Sequence, residues 1–144
     1  MEFIIRELML KDSEGIHRLN TDEMGYEFSL DETKEKLLKL FYSESDKIFV
    51  AVIGDEVIGY VHANDYDLIY APHMKNIMGI AVTEKYKRNG IGKALLSAVE
   101  MWAKETGANG VRLVSGATRT DAHKFYHSCG YDGDKAQVNM SKMF

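Results

Sequence analysis

Two runs of β-forming residues, 47–53 (KIFVAVI) and 56–63 (EVIGYVHA), are separated by Gly54 and Asp55 alone. Two such residues between apolar runs make a tight hairpin, so the chain carries an antiparallel strand pair. A further apolar run, 74–82 (MKNIMGIAV), leads into a segment in which Ile91, Leu95, Ala98, Val99 and Trp102 recur with helical spacing. Gly107 is placed to stop that helix, and VRLVS at 111–115 reads as the next strand. A strand–helix–strand unit beside a hairpin gives a sheet of mixed direction. The expectation is an α/β (α+β) domain with a mixed, mostly antiparallel central sheet flanked by helices.

The remaining elements follow from caps and periodicity. Residues 2–8 read as a strand. Asp12 can cap a helix with Ile16 and Leu19 on its inner face. Ser29 and Glu32 have capping-box spacing ahead of an apolar stripe of Leu37, Leu38, Leu40 and Phe41. Residues 120–128 read as a short helix, and 131–134 and 136–141 as closing strands. The expected order is β-α-α-β-β-β-α-β-α-β-β.

With 144 residues, one proline and no linker or repeat, 1–144 is expected to be a single domain that needs no staple. The 18 Lys+Arg against 22 Asp+Glu leave a charge of −4, which gives no footprint for nucleic acid. A single cysteine, Cys129, excludes an intramolecular disulfide framework and a multi-cysteine zinc site. The first residues do not read as a signal peptide, and no apolar run approaches the roughly 20 residues of a membrane span. A soluble, cytoplasmic protein with no membrane partner is expected.

The most informative stretch is 80–96, IAVTEKYKRNGIGKALL. A strand ends near Val82, and a turn carrying Lys85, Lys87, Arg88, Asn89, Gly90, Gly92 and Lys93 runs into the long helix. A helix start offers unpaired N–H groups and the positive end of the dipole, and glycines let a phosphate come close. The pattern is not a P-loop, and Leu95 stands where a dinucleotide fingerprint would have its third glycine. A glycine turn with solvated lysines is the plain alternative. The second stretch is 119–131, RTDAHKFYHSCGY, where Ala122, Phe125 and Cys129 share a helix face and Tyr126 follows Ala122 by four. On its own, Tyr126 reads as a packed aromatic whose hydroxyl finds some partner.

Together the two stretches resemble the GNAT superfamily of N-acetyltransferases. Its Arg/Gln-x-x-Gly-x-Gly/Ala motif is matched by Lys87-Arg88-Asn89-Gly90-Ile91-Gly92, followed by Lys93-Ala94-Leu95-Leu96. Its later Asn-x-x-Ala-x-x-Phe-Tyr-x-x-x-Gly-Phe falls on Arg119 to Tyr131. Lys87, Arg119 and Tyr131 depart from the usual Arg or Gln, Asn and Phe. The resemblance implies acetyl-CoA as co-substrate, in a gap between the strand ending at 82 and the strand 111–115. Backbone groups near Ile80, Ala81 and Val82 would hold the pantetheine arm. The N–H groups over Lys87, Arg88, Asn89, Gly90, Ile91, Gly92 and Lys93 would hold the pyrophosphate, and Arg119 would reach the cofactor. Tyr126 stands at the position of the family's general acid. Tyr26, Glu27 and Phe28 lie where the family builds its acceptor wall.

The implied reaction is direct attack of a primary amine on the acetyl thioester. The acceptor is expected to be a small-molecule amine, with a protein or peptide amine as the alternative. Glu23, Glu27, Asp65, Asp67, His62 and His73 are candidate bases, and none is singled out. His123 and His127 have a metal-binding spacing but no third ligand, so no metal is expected. A homodimer through the C-terminal strands is compatible with such a fold. Two rival readings are an acetyl-CoA-binding sensor without turnover, which has no need of Tyr126, and a nucleotide-binding protein of another family, which the missing third glycine disfavours.

Overall fold

The structure, a computed structural model, describes residues 2–133 and 135–144. They fall into two compact units, Met1–Leu113 and Val114–Phe144. The first unit runs β1 (Ile4–Glu7), a 3-10 turn (Leu10–Asp12), α1 (Ser13–Asp22), α2 (Leu30–Phe41), β2 (Asp46–Ile53), β3 (Glu56–Tyr66), β4 (Met74–Val82), a second 3-10 turn (Glu84–Tyr86), α3 (Ile91–Glu105) and β5 (Val111–Leu113). The strands make one sheet in chain order. β1 to β4 are antiparallel neighbours, and β4 and β5 are parallel. This is the expected mixed, mostly antiparallel sheet.

Local chemistry sets the elements. Gly54, at φ +58°, turns the β2–β3 hairpin. The Ser29 side chain caps α2 by accepting from the Glu32 N–H at 3.1 Å. Asp12 is buried and takes a two-pronged bond from Arg6, with Nη1 to Oδ2 at 2.8 Å and Nη2 to Oδ1 at 2.9 Å. It also accepts from the Met9 N–H at 2.8 Å, which ties β1 to the start of α1. In α2 only Leu37 of the expected stripe is buried; Leu38 and Phe41 are exposed, because the sheet meets a single row of that helix.

Alternation along β2 and β3 gives the sheet two apolar faces. On one, Ile48, Val50, Val52 and Val57 pack with Ile16, Leu19 and Leu37 of α1 and α2. On the other lies α3, which buries Ile91, Leu95, Leu96, Val99 and Trp102. Gly59 sets how closely α3 approaches. A Cβ there would stand 3.4 Å from both Ile91 Cγ2 and Leu95 Cδ1, and 3.0 Å from the carbonyl oxygen of Ala81.

The second unit holds α4 (Thr120–Ser128), with the residues expected. The strand expected at 111–115 is only Val111–Leu113. The closing strands expected at 131–134 and 136–141 are absent among the described residues, while Asp134 lies outside them. From 135 onward the segment is exposed and has no strand partner, so its backbone groups are left to water.

Gly59→Ala therefore forces a methyl against a backbone oxygen that cannot swing away. We expect a loss of about 1–3 kcal/mol, as for other overpacked sites. Urea unfolding should show a lower midpoint with an unchanged m-value.

Candidate active site

The site begins with a strand that is paired on one edge only. β4 is registered with β5 at Lys75, Asn76 and Ile77 and nowhere beyond. On its other edge it stays with β3 as far as Val82, through an irregularity beside His62 that leaves Met78 without an opposite residue. The Thr83 N–H donates to the Ile58 carbonyl at 2.8 Å. Alternate residues of an antiparallel strand turn their N–H and C=O to opposite edges. Ala81 therefore faces β3, and Ile80 and Val82 turn their backbone groups to the open edge. An extended acyl-amide chain laid there could pair with them as a further strand would.

The turn after β4 carries the helix start. Ile91, the first residue of α3, is buried near Gly59, which sits opposite Val82. Gly90 caps α3 at φ +82°, with no side-chain bond to the helix and open space around it. The first intrahelical acceptor bond is Ala94 N–H to Gly90 O at 3.0 Å. The N–H groups of Ile91, Gly92 and Lys93 precede it and have no acceptor within the helix.

The side chains of the turn bond mostly to the turn itself. Asn89 Nδ2 donates to the carbonyls of Tyr86 (3.0 Å) and Lys87 (3.1 Å). Lys87 Nζ pairs with Glu84 at 2.9 Å, and this lysine holds the exposed Glu84 carboxyl below its ordinary value. Arg88 is exposed and adopts φ +67°, a left-handed conformation rare for a side-chain-bearing residue. The backbone donors, the positive helix end and the open strand edge fit an anionic pyrophosphate with an amide-bearing arm.

On the α1–α2 face of the sheet lies a cleft of about 150 Å³. Asn20, Phe28, Lys36, Tyr60 and His62 are among its lining residues. Tyr60 donates its hydroxyl to Asn20 Oδ1. Burial raises the Tyr60 phenol above its ordinary value, against the Asn20 bond and with help from Tyr26. Thus Phe28 lines the cleft and Tyr26 acts on it electrostatically, while Glu27 is exposed beside them.

The candidate bases separate by their surroundings. Glu23 Oε1 accepts from Thr83 Oγ1 at 3.1 Å. Asp65 is bonded by the buried Lys75, whose Nζ lies 4.0 Å from the centre of the Trp102 ring. His73 has a carboxylate 3.5 Å from each ring nitrogen, Asp65 at Nε2 and Asp67 at Nδ1. Only His62 lines the cleft. Its Nε2 is 2.8 Å from Asp46 Oδ1, a partner that the sequence reading missed. Strand alternation alone puts Asp46, Ile48, Tyr60 and His62 on one face, because Ile48 and His62 are opposite in the register.

In the second unit, Tyr126 is half-buried and its hydroxyl makes no hydrogen bond among the described residues. Burial raises this phenol above its ordinary value; the Arg119 charge opposes the shift and Cys129 adds to it. His123 Nε2 sits 2.8 Å from the Gly116 carbonyl, so its ring anchors the loop ahead of α4. Ser115 Oγ is buried with no partner among the described residues, an orphan that a bound amide could satisfy. No group of three metal-ligating side chains occurs among the described residues, and no helix is long and apolar enough to cross a membrane.

Comparison with known proteins agrees with this geometry. Among curated relatives, an aminoglycoside N(6')-acetyltransferase type 1 of Stenotrophomonas maltophilia is 23% identical over 71% of this chain and 70% of its own length. An uncharacterized N-acetyltransferase, YvbK of Bacillus subtilis (strain 168), is 33% identical over 62% of this chain and 56% of its own. Among solved structures, AAC(6')-Iy in complex with the bisubstrate analog CoA-S-monomethyl-acetylneamine superposes over the full length of both chains with a TM-score of 0.88 at 17% identity, a shared fold. The model of the acetyltransferase (GNAT) family matches residues 13–131, which takes in the open strand edge, the glycine turn and Tyr126. The chain belongs to the GNAT family of acetyltransferases, with acetyl-CoA as co-substrate.

Proposed function

We propose that the chain acts as one N-acetyltransferase domain that moves the acetyl group of acetyl-CoA to a small-molecule primary amine. The observation that carries this reading is the open edge of β4, which leads through a turn to the start of α3, where no side chain caps the first N–H groups. In this reading the Ile80 and Val82 backbone groups pair with the pantetheine amides. The N–H groups at the start of α3, with the exposed charges of Arg88 and Lys93, hold the pyrophosphate. Arg119 supplies a further charge for the cofactor. The family match runs through both compact units, which supports one functional domain.

The chemistry needs a neutral amine and a proton for the departing sulfur. As the amine nitrogen bonds to the acetyl carbon, negative charge grows on the carbonyl oxygen, and the open-edge N–H of Ile80 is the donor assigned to it. The C–S bond then breaks, and the Tyr126 hydroxyl gives its proton to the thiolate. A phenol whose pKa lies above about 10 is almost wholly protonated at neutral pH. The acceptor site is assigned to the wall formed by Tyr26, Glu27 and Phe28 beside the cleft. Aminoglycosides are the first acceptor class to test, because a curated relative is named for them. A single unpaired cysteine fits a cytoplasmic setting. A homodimer belongs to the same proposal, with the exposed Val138, Met140, Met143 and Phe144 as apolar contacts; light scattering should then give twice the monomer mass.

CoA release over a panel of amines, quantified by chromatography, tests the reading. Gly92→Glu should weaken acetyl-CoA binding at least tenfold by calorimetry, because it sets a carboxylate among the pyrophosphate donors. Tyr126→Phe should lower kcat by about 10²–10⁴ while leaving acetyl-CoA affinity within twofold. The Tyr126 phenol must stay protonated to act, and burial raises it, so the alkaline loss of wild-type kcat should fall at higher pH than an unperturbed phenol would give. Unchanged turnover in both variants would remove the site assignment.

A further inference from the structure

We propose that His62 is the base that takes the proton from the acceptor amine, with Asp46 as its positioning residue, so that the amine enters through the cleft between the sheet and α1–α2. This inference rests on the acetyltransferase reading above and adds the group that reading lacks.

The geometry favours His62 in three ways. First, its ring has one nitrogen engaged and one free. Asp46 Oδ1 lies 2.8 Å from Nε2, and Nδ1 has no hydrogen-bond partner among the described residues. A carboxylate only accepts, so Nε2 carries the hydrogen and Nδ1 presents a lone pair. Second, the carboxylate is itself fixed. Asp46 Oδ2 accepts from Ser43 Oγ at 2.7 Å and from Ser45 Oγ at 3.3 Å. Burial pushes the Asp46 carboxyl up, but these hydroxyls and His62 outweigh it and hold it below its ordinary value. Third, the register places His62 on the strand next to β4, level with the start of its open stretch. His62 is paired with Gly79, the residue before Ile80. A Cβ at Gly79 would meet nothing nearer than the Tyr60 hydroxyl at 4.0 Å. The missing side chain leaves room on that face beside the assigned carbonyl donor.

The other charged and titratable groups bear on the same step. Lys36 of α2 and Tyr60 of β3 line the cleft with His62, α1 contributes the uncharged Asn20, and β4 contributes Gly79. The proton of an amine arriving as ammonium passes to Nδ1 and from there to solvent, the imidazolium being stabilised meanwhile by Asp46. The nitrogen lone pair then bonds to the acetyl carbon, and as the C–S bond breaks the nitrogen gives its second proton to Nδ1, while Tyr126 protonates the thiolate and regains its proton from solvent.

The test is the pH dependence of kcat/KM for the best amine of a panel containing an aminoglycoside, a polyamine and a peptide with a free N-terminus. In His62→Gln we expect a loss of about 10²–10⁴ at pH 7. The loss should shrink as pH rises toward the amine's own pKa, where no base is needed. In Asp46→Asn we expect a smaller loss that likewise shrinks as pH rises, because the ring has lost the carboxylate that fixes its Nε2 hydrogen. A merely structural role would lower the rate equally at every pH. Acetyl-CoA affinity within twofold of wild type in both variants shows that they fold. Variant rates within twofold of wild type at pH 7, or a loss independent of pH, would overturn the base while leaving the acetyltransferase reading standing. No CoA release by the wild-type protein with any amine would overturn that reading, and the base with it.

Discussion

The arrangement depends on the unequal pairing of β4. Its edge toward β3 is satisfied to the end, while its edge toward β5 is satisfied only to Ile77. An unpaired strand edge is a row of donors and acceptors in search of a partner, and folds normally cover or blunt it. Here the edge leads, through the turn 83–90, to a helix start, which is also short of acceptors for its first N–H groups. Two backbone deficits are thus joined by a short turn, one suited to amides and the other to anions. Gly59 makes the junction compact, since a side chain there would lift Ile91 and Leu95 off the sheet beside Val82.

The polar groups on the two sheet faces serve different ends. On the α3 side, Lys75 is buried with its charge spent on Asp65 and on the Trp102 ring, and His73 lies between two carboxylates. Lys75 stays buried because it is partnered, and neither group holds a valence open for a ligand. On the α1–α2 side, the Asp46–His62 pair keeps one nitrogen of the imidazole uncommitted in a cleft. The same residue types are a structural tie in one place and, in the reading proposed above, a chemical group in the other. The difference lies in which valences the neighbours leave unused.

Much of this was legible in the sequence. Gly54-Asp55 gave away the hairpin, the spacing of Ile91, Leu95, Val99 and Trp102 gave α3, and Ser29 with Glu32 gave the start of α2, because each rests on local geometry. The end of the chain was misread. Alternation at 136–141 suits a strand, but a strand forms only where an edge accepts it, and no partner edge is paired with those residues. The Asp46–His62 pair was hidden for a related reason. Sixteen residues separate them, and only the hairpin register, which sets Ile48 opposite His62, brings them together on one face. Asn20 and Tyr60, forty apart, meet because α1 lies on β3.

The glycine turn shows why a motif can tolerate changes in its side chains. Asn89 spends its amide on turn carbonyls, and Lys87 is held by Glu84. Neither is placed as a dedicated phosphate ligand, so replacing an arginine or glutamine with Lys87 alters little of what the turn can bind. The backbone conformation is the part that admits no such freedom. Arg88 and Gly90 both sit at positive φ, and the non-glycine residue there carries strain of about 1–3 kcal/mol. Strain of that size persists only where the surroundings fix it. Here the fixing comes from the Asn89 bonds on one side and the buried Ile91 on the other. The turn's internal bonds thus fix its backbone, and the anion site proposed there rests on that backbone rather than on side chains.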